Sequence, residues 1–282
     1  MQSRRTPKAH SILTVTVANI FWMVSAMAQV GWLVSLRRNQ MSDEHPKSLL
    51  IAGESGAGKS MSLMNIRGQE GVLYINCEGG KPLPFKNKFK RVTIDDPREI
   101  FDLYQAIIDI PGKRFHTVVT DTVSFMMERY EAVHVINSAN TMAAWGAYGQ
   151  FFKTLMYDYV AKADVYSIML GHQDAVLNET TNEMSYSVPV KGALKKNGLE
   201  AYFTTVVVAK KMKIKDLKPN KLLHISESEE DRGFKHVFQT RTTKHSVGDR
   251  IRSPFGLFQD DEVYIDNDAQ AVIDQLTKYY AP

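Results

Sequence analysis

The chain has 282 residues, 44% of them hydrophobic and 23% charged. That is enough apolar material to bury a sizeable core, and it excludes wholesale disorder and collagen-like structure. A single cysteine excludes both a disulfide framework and a cysteine-built zinc site. The formal charge of +4 is unevenly placed. Residues 1–40 hold Arg4, Arg5, Lys8, Arg37 and Arg38 and no acid, so residues 41–282 together carry −1.

The length suits one large domain, or one domain with an appendage. The appendage comes first. From Ser11 to Leu36 run 26 uncharged residues, long enough to span a bilayer. Three readings compete: a membrane anchor, a signal peptide with Ala26-Met27-Ala28 as its cleavage site, and a mis-assigned start with translation beginning at Met41. Arg4, Arg5 and Lys8 outnumber Arg37 and Arg38, which would hold the N-terminus inside and send the remainder out. The remainder reads below as an ATP-dependent domain, and ATP is a cytoplasmic reagent. The mis-assigned start is therefore preferred, with cytoplasmic localisation, and a membrane-anchored protein is the alternative. Residues 41–282 then form the working domain.

Ser48 to Ala52 is a short apolar run that predicts a buried strand. It leads into Gly53-Glu54-Ser55-Gly56-Ala57-Gly58-Lys59-Ser60, a complete G-x-x-x-x-G-K-S phosphate loop. A helix-compatible run follows from Ser60 to Ile66, so the strand–loop–helix context is present. Glycines let such a loop turn its N–H groups inward around phosphate oxygens. A helix N-terminus would add partial positive charge. Lys59 is placed to reach the β- and γ-phosphates of ATP, and Ser60 to ligate Mg²⁺.

Further strands are predicted at Gly71–Glu78, Phe89–Ile94 and Phe115–Asp121, and a helix from Asp96 to about Ile108. Asp121 ends an apolar strand, where a carboxylate of the Mg²⁺ shell is needed beside a phosphate loop; its plain alternative is a turn or cap residue. Trp145 to Ala161 reads as a helix packing its aromatic stripe into the core. Ala163–Gly171 is a fifth strand, and His172 and Gln173 at its tip are candidates for sensing the γ-phosphate or placing the attacking water. Alternating strands and helices, with the loop at a strand's C-terminal end, imply an α/β fold with a central, mostly parallel sheet flanked by helices.

With these residues in place, the chain resembles the RecA-type P-loop ATPase core. The strand Tyr74-Ile75-Asn76-Cys77-Glu78 ends on an acid, Val118-Val119-Thr120-Asp121 resembles a Walker B strand, and Leu170-Gly171-His172-Gln173 ends on polar residues. More closely, the chain is similar to short phage-encoded ATPases of the AAA/RecA-like kind, some of which act in single-strand DNA annealing or recombination. Trp145-Gly146-Ala147-Tyr148-Gly149, Pro189-Val190-Lys191-Gly192 and Lys244 to Asp249-Arg250 add to that likeness, which covers roughly residues 48–252. The resemblance implies that Glu78 polarises the attacking water, that ATP and Mg²⁺ are the ligands, and that the protein is a homo-oligomer. The N-terminal polymerisation region of full-length recombinases is not evident, which favours annealing or an accessory role over strand exchange.

Between Lys191 and Leu223 stand nine lysines opposed only by Glu200 and Asp216. Such an array suits the phosphate backbone of single-stranded DNA. It has few aromatics for stacking bases (Tyr202 and Phe203), and its plain alternative is a solvated face. In RecA-like assemblies a Lys or Arg completes the neighbouring subunit's site; Lys210, Lys211, Lys244 and Arg250 are candidates here. Ser226–Asp231 is expected to be an acidic loop or hairpin, and Asn267–Tyr280 a terminal helix capped by Asp266 or Asn267. The sequence thus points to an ATPase acting on single-stranded DNA. Its rival is a nucleotide-dependent assembly or switch ATPase without DNA contact, tethered to a membrane if residues 11–36 are a true anchor.

Overall fold

The computed structural model describes residues 47–110, 114–178 and 183–281. The segment 11–36 lies outside them; among the described residues no helix is long and apolar enough to cross a membrane.

Ten strands are described: β1 (Ser48–Gly53), β2 (Val72–Asn76), β3 (Lys90–Thr93), β4 (Thr117–Asp121), β5 (Tyr166–His172), β6 (Asp174–Asn178), β7 (Glu183–Ser187), β8 (Thr205–Lys213), β9 (Phe234–Gln239) and β10 (Tyr264–Asp266). Helices are α1 (Glu99–Asp109), α2 (Val123–Tyr130), α3 (Thr141–Thr154), α4 (Glu227–Arg232) and α5 (Ala269–Tyr279). Eight strands form one sheet in the order β10-β9-β8-β1-β5-β4-β2-β3. From β8 to β3 every pairing is parallel, and β9 and β10 add an antiparallel edge.

Both faces of the parallel part are covered, which is why its strands read as unbroken apolar runs. The period of two is still there, divided between two cores. Leu50 and Ala52 of β1, Leu73 and Ile75 of β2, and Val206 and Val208 of β8 face one side, against α1, α2 and α3. Leu49 and Ile51, Val72 and Tyr74, and Val207 and Ala209 face the other, against α5 and the segment after the phosphate loop. The result is a three-layer α/β/α domain. The loop-bearing β1 and the Asp121-bearing β4 are not neighbours, because β5 runs between them. The sheet is central, mostly parallel and flanked by helices, the RecA-like P-loop architecture that the sequence led us to expect.

Four local expectations need correction. The run after the phosphate loop is not a helix to Ile66 but a single 3-10 turn, Ser60–Leu63. Ser226–Asp231 is no loop: Ser226 and Glu229 form a capping box that starts α4, and Gly233 ends it in the left-handed region at φ 72°. The terminal helix α5 is capped by Asp268, one or two residues later than predicted, its carboxylate accepting from the Gln270 N–H. The long helix begins earlier than Trp145, at Thr141, with Asn140 as its cap. Beyond these, Asp174–Asn178 and Glu183–Ser187 pair as a separate antiparallel two-stranded sheet directly after β5.

Candidate nucleotide-binding site

The C-terminal ends of β1, β2, β4 and β5 lie side by side, and each delivers one predicted residue to the same place. Gly53 ends β1 where the chain must pass close to β8: a Cβ there would stand 2.6 Å from the Ala209 carbonyl oxygen. The loop then turns through Gly56 at φ 76° and Gly58 at φ 100°, backbone that only glycine adopts without strain. A cavity of about 600 Å³ opens over the loop, with Ser55, Gly56, Gly58, Lys59 and Ser60 in its wall. Glu78, Lys81, Thr122 and His172 line the same cavity.

Lys59 is buried. Its ammonium donates to the carbonyls of Gly53 (2.8 Å) and Glu54 (2.9 Å) and lies 3.3 Å from His172 Nδ1. Burial draws its pKa down to about 8, against the pull of Asp121 and Glu78. Burial, together with the Lys59 charge, also holds the His172 imidazole below its ordinary range, so the ring is neutral at pH 7. Because Nδ1 faces an ammonium, it must be the accepting nitrogen, and the ring proton sits on Nε2. That Nε2–H is buried without a hydrogen-bond partner and lies 3.7 Å from Glu78 Oε1. The ring is steadied by an edge-on contact with Phe125, and the residue's backbone N–H is held by Ser124 Oγ, which accepts it at 2.9 Å.

Asp121 ends β4 almost fully buried. Its Oδ2 accepts from Ser60 Oγ at 3.1 Å and from the Tyr74 hydroxyl at 2.7 Å. Burial raises the carboxyl's pKa, and these two hydrogen bonds oppose the rise. Its Oδ1 is buried with no partner at all. A buried carboxyl oxygen without a hydrogen-bond partner beside a serine hydroxyl fits the outer shell of Mg²⁺, whose remaining ligands would be waters and phosphates rather than a protein cage. Among the described residues there is no group of three or more His, Cys, Asp or Glu side chains placed to hold a metal ion. The peptide from Asp121 to Thr122 is cis.

A family model described as an AAA domain matches residues 45–248. The chain belongs to the AAA domain family. The match runs from just before β1 to the loop beyond β9, so the cavity's phosphate end lies wholly inside this AAA domain. No curated protein sequence matches the chain. Among solved structures it is similar to that of the RadB recombinase, with 14% identity, a TM-score of 0.36, and coverage of 71% of this chain and 89% of that one.

Several predicted residues play other parts in the AAA domain than expected. Gln173 is buried beside β1, its N–H donating to the Gly53 carbonyl, and is not in the cavity wall. Glu54 points outward and contributes its carbonyl, as does Gly53. Ala57 gives its carbonyl to the imidazole of His236, 2.9 Å away. Lys210 is held by the buried Asp249 carboxylate at 2.5 Å and Arg250 by the buried Glu200 at 3.2 Å. Of the four candidates for acting on a neighbour's site, Lys211 and Lys244 are the exposed ones. Lys211 lies 3.7 Å over the Phe234 ring, which itself lines the cavity.

The sequence reading missed the far wall. Asn267 Nδ2 donates to the Gly58 carbonyl at 2.9 Å, and His236 sits against the same turn. A Cβ on Gly58 would meet Asn267 Nδ2 at 2.7 Å and His236 Nδ1 at 3.2 Å. The loop's last glycine is therefore required by the C-terminal segment as well as by its own φ. No motif announces this, since Asn267 lies 209 residues away and looked only like a helix cap.

Proposed function

We propose that the chain binds ATP with Mg²⁺, hydrolyses the β–γ bond, and couples the cycle to single-stranded DNA. The observation that carries the ATPase reading is the convergence of Lys59, Glu78, His172 and the Ser60–Asp121 pair on one cavity. The loop glycines and Lys59 would hold the phosphates, and Ser60 and Asp121 the metal shell. Bound Mg²⁺ would neutralise charge on the β- and γ-oxygens. Glu78 accepts a proton from a water whose oxygen bonds to the γ-phosphorus. The bond from that phosphorus to the bridging oxygen breaks, and its electron pair leaves with ADP. The Nε2–H of His172 donates to a γ-oxygen. With only one 3-10 turn behind the loop, positive charge at the phosphates comes from Lys59 and the loop N–H groups rather than from a helix dipole.

The test is direct. Lys59→Ala abolishes ATP binding. Glu78→Gln keeps binding and loses turnover by about 10²–10⁴-fold. Wild-type protein that binds no ATP overturns the reading.

The DNA reading rests on where the lysines fall. β8 runs past the end of β1, so Lys211 and Lys213, with Lys215, Lys218 and Lys221 beyond them, are exposed at the cavity's end of the sheet. This is the placement through which ATP turnover and backbone contact would be coupled in a homo-oligomer of the phage-encoded annealing kind, working where cytoplasmic ATP is available. One observation favours the rival assembly switch without DNA contact: the acidic helix α4 lies beside these lysines, with Glu229 bound to Lys235 at 2.7 Å. ATPase rates measured with and without single-stranded DNA separate the two; stimulation supports the first reading and indifference the second.

A further inference from the structure

The turn from Glu78 to Lys81 is fixed along its backbone and exposed at its cation. Asn76 Oδ1 accepts from the N–H groups of Glu78 and Gly80, each at 3.0 Å. Asn76 Nδ2 and the Arg91 guanidinium both donate to the Lys81 carbonyl, at 2.8 and 2.5 Å. Arg91 is in turn seated over the Tyr74 ring. Gly79 and Gly80 take φ of 62° and 85°, which lets the chain reverse tightly enough to bring residue 81 back over residue 78. Four hydrogen bonds and two glycines thus define where Lys81 begins. Its side chain, by contrast, is 72% exposed, and its ammonium reaches back 2.9 Å to Glu78 Oε2.

The magnitudes favour exchange of that ammonium. Its lysine is open to water, so solvent screens the ion pair and the ammonium can exchange partners. Glu78 offers a single charge, whereas a terminal phosphate offers close to two, and three acceptor oxygens. Lys81 already lies in the wall of the cavity that Lys59, Ser60 and His172 line.

We propose that Lys81 is a γ-phosphate ligand supplied by the chain's own Glu78–Lys81 turn, and that its transfer to the phosphate uncovers Glu78 for the attacking water. The proposal rests on the ATP reading above. Without a γ-phosphate the ammonium occupies Glu78 Oε2, one of the two oxygens that must receive the water's proton. When the γ-phosphate arrives, the ammonium follows it and the carboxylate is vacated. Lys81 makes and breaks no covalent bond. It ties the readiness of the base to the presence of the bond to be cleaved, so that ADP leaves the base covered.

The experiment compares full-length wild type, Lys81→Met and Lys81→Arg, titrating each with a fluorescent ADP and with a non-hydrolysable ATP analogue carrying the same fluorophore. Lys81→Met loses about ten- to a hundredfold affinity for the triphosphate, the worth of one charged hydrogen bond, and keeps its affinity for ADP. Lys81→Arg recovers most of the loss. Glu78→Gln, which frees Lys81 in advance, binds the analogue up to about fivefold more tightly. Equal losses for both nucleotides, or none for either, in Lys81→Met overturn the proposal while leaving the ATP reading intact. Wild type that binds neither nucleotide removes the ATP reading itself, and the Lys81 proposal with it.

Discussion

Lys59 is buried, and in the proposed function it is the main positive charge offered to phosphate; the two pull its proton in opposite directions. In the free protein burial brings its pKa to about 8; a bound phosphate favours the charged form and raises it again. Nucleotide binding therefore takes up a proton when the pH is above about 8, and affinity falls as pH rises, by up to tenfold per unit. Calorimetry in buffers of differing ionisation enthalpy reads the proton directly. Asp121 shows the complementary tension. Its Oδ1 is a buried, bare oxygen, costly to the empty fold and useful only to a cation. Asp121→Asn is expected to raise the melting temperature of the nucleotide-free protein by about 2–4 °C and to abolish Mg²⁺-dependent turnover; a lower melting temperature would contradict this account. At this scale the motif residues Gly53–Ser60, and the strand-end residues Glu78, Asp121 and His172, were legible because each ends an apolar run. Tyr74, Lys81, His236 and Asn267 were not, because their roles depend on side chains reaching across from other strands and turns.

Among the elements, the buried parallel strands were the easiest to read and the connections the hardest. β1, β2, β4 and β5 are covered on both faces, so apolar length alone marks them. The short helix α4 was concealed by its own acidity: Ser226-Glu227-Ser228-Glu229 looks like a solvated loop until the capping box is recognised. Ser226→Ala should cost about 1 kcal/mol, read as a shift in denaturant midpoint, whereas a neutral result would mean that α4 is held by its Lys235 contacts instead. The single turn after the phosphate loop follows from its surroundings. Met61, Met64 and Asn65 are exposed there, and Gly68 at φ 59° turns the chain towards β2, so only Ser62, Leu63 and Ile66 are buried. A run that buries so few side chains has little to hold a longer helix. Support comes instead from the C-terminal segment, through Asn65 to Asp268 and Arg67 to Gln270, both at 2.9 Å. Removing the Gly58 contact by Asn267→Ala is expected to weaken nucleotide binding about three- to tenfold with little change in melting temperature, as titration alongside thermal unfolding would report.

For the whole molecule, charge is better read by position than by sum. The net excess of the whole chain sits in residues 1–40, outside the described structure; residues 41–282 together carry −1, because acidic flanks offset a matched AAA stretch, 45–248, that is itself basic. Within it the lysine-rich segment divides on folding. Lys210 is held by the buried Asp249 and Lys191, though exposed, pairs with Glu131, while Lys195, Lys196, Lys211, Lys213, Lys215, Lys218 and Lys221 stand exposed. Sequence could count the lysines but not divide them, since the two carboxylates that consume the pair lie 60 and 39 residues away. If single-stranded DNA is bound here, replacing Lys213, Lys215 and Lys218 with Glu lowers the slope of log affinity against log salt by up to about one per lysine. An unchanged slope would place the DNA elsewhere or exclude it.

The bond from Asn267 to the Gly58 carbonyl also sets an order in time. A ribosome making this chain releases the phosphate loop early, yet the residue that buttresses the loop is synthesised 209 positions later. At about 5–20 residues per second, that gap lasts on the order of 10–40 seconds. During it the nascent chain carries every motif residue of the nucleotide site without the wall that braces it. The loop is therefore expected to reach its full affinity for nucleotide only once the C-terminal segment is in place, and translation stalled before Asn267 yields a chain with an intact motif and an unbraced loop.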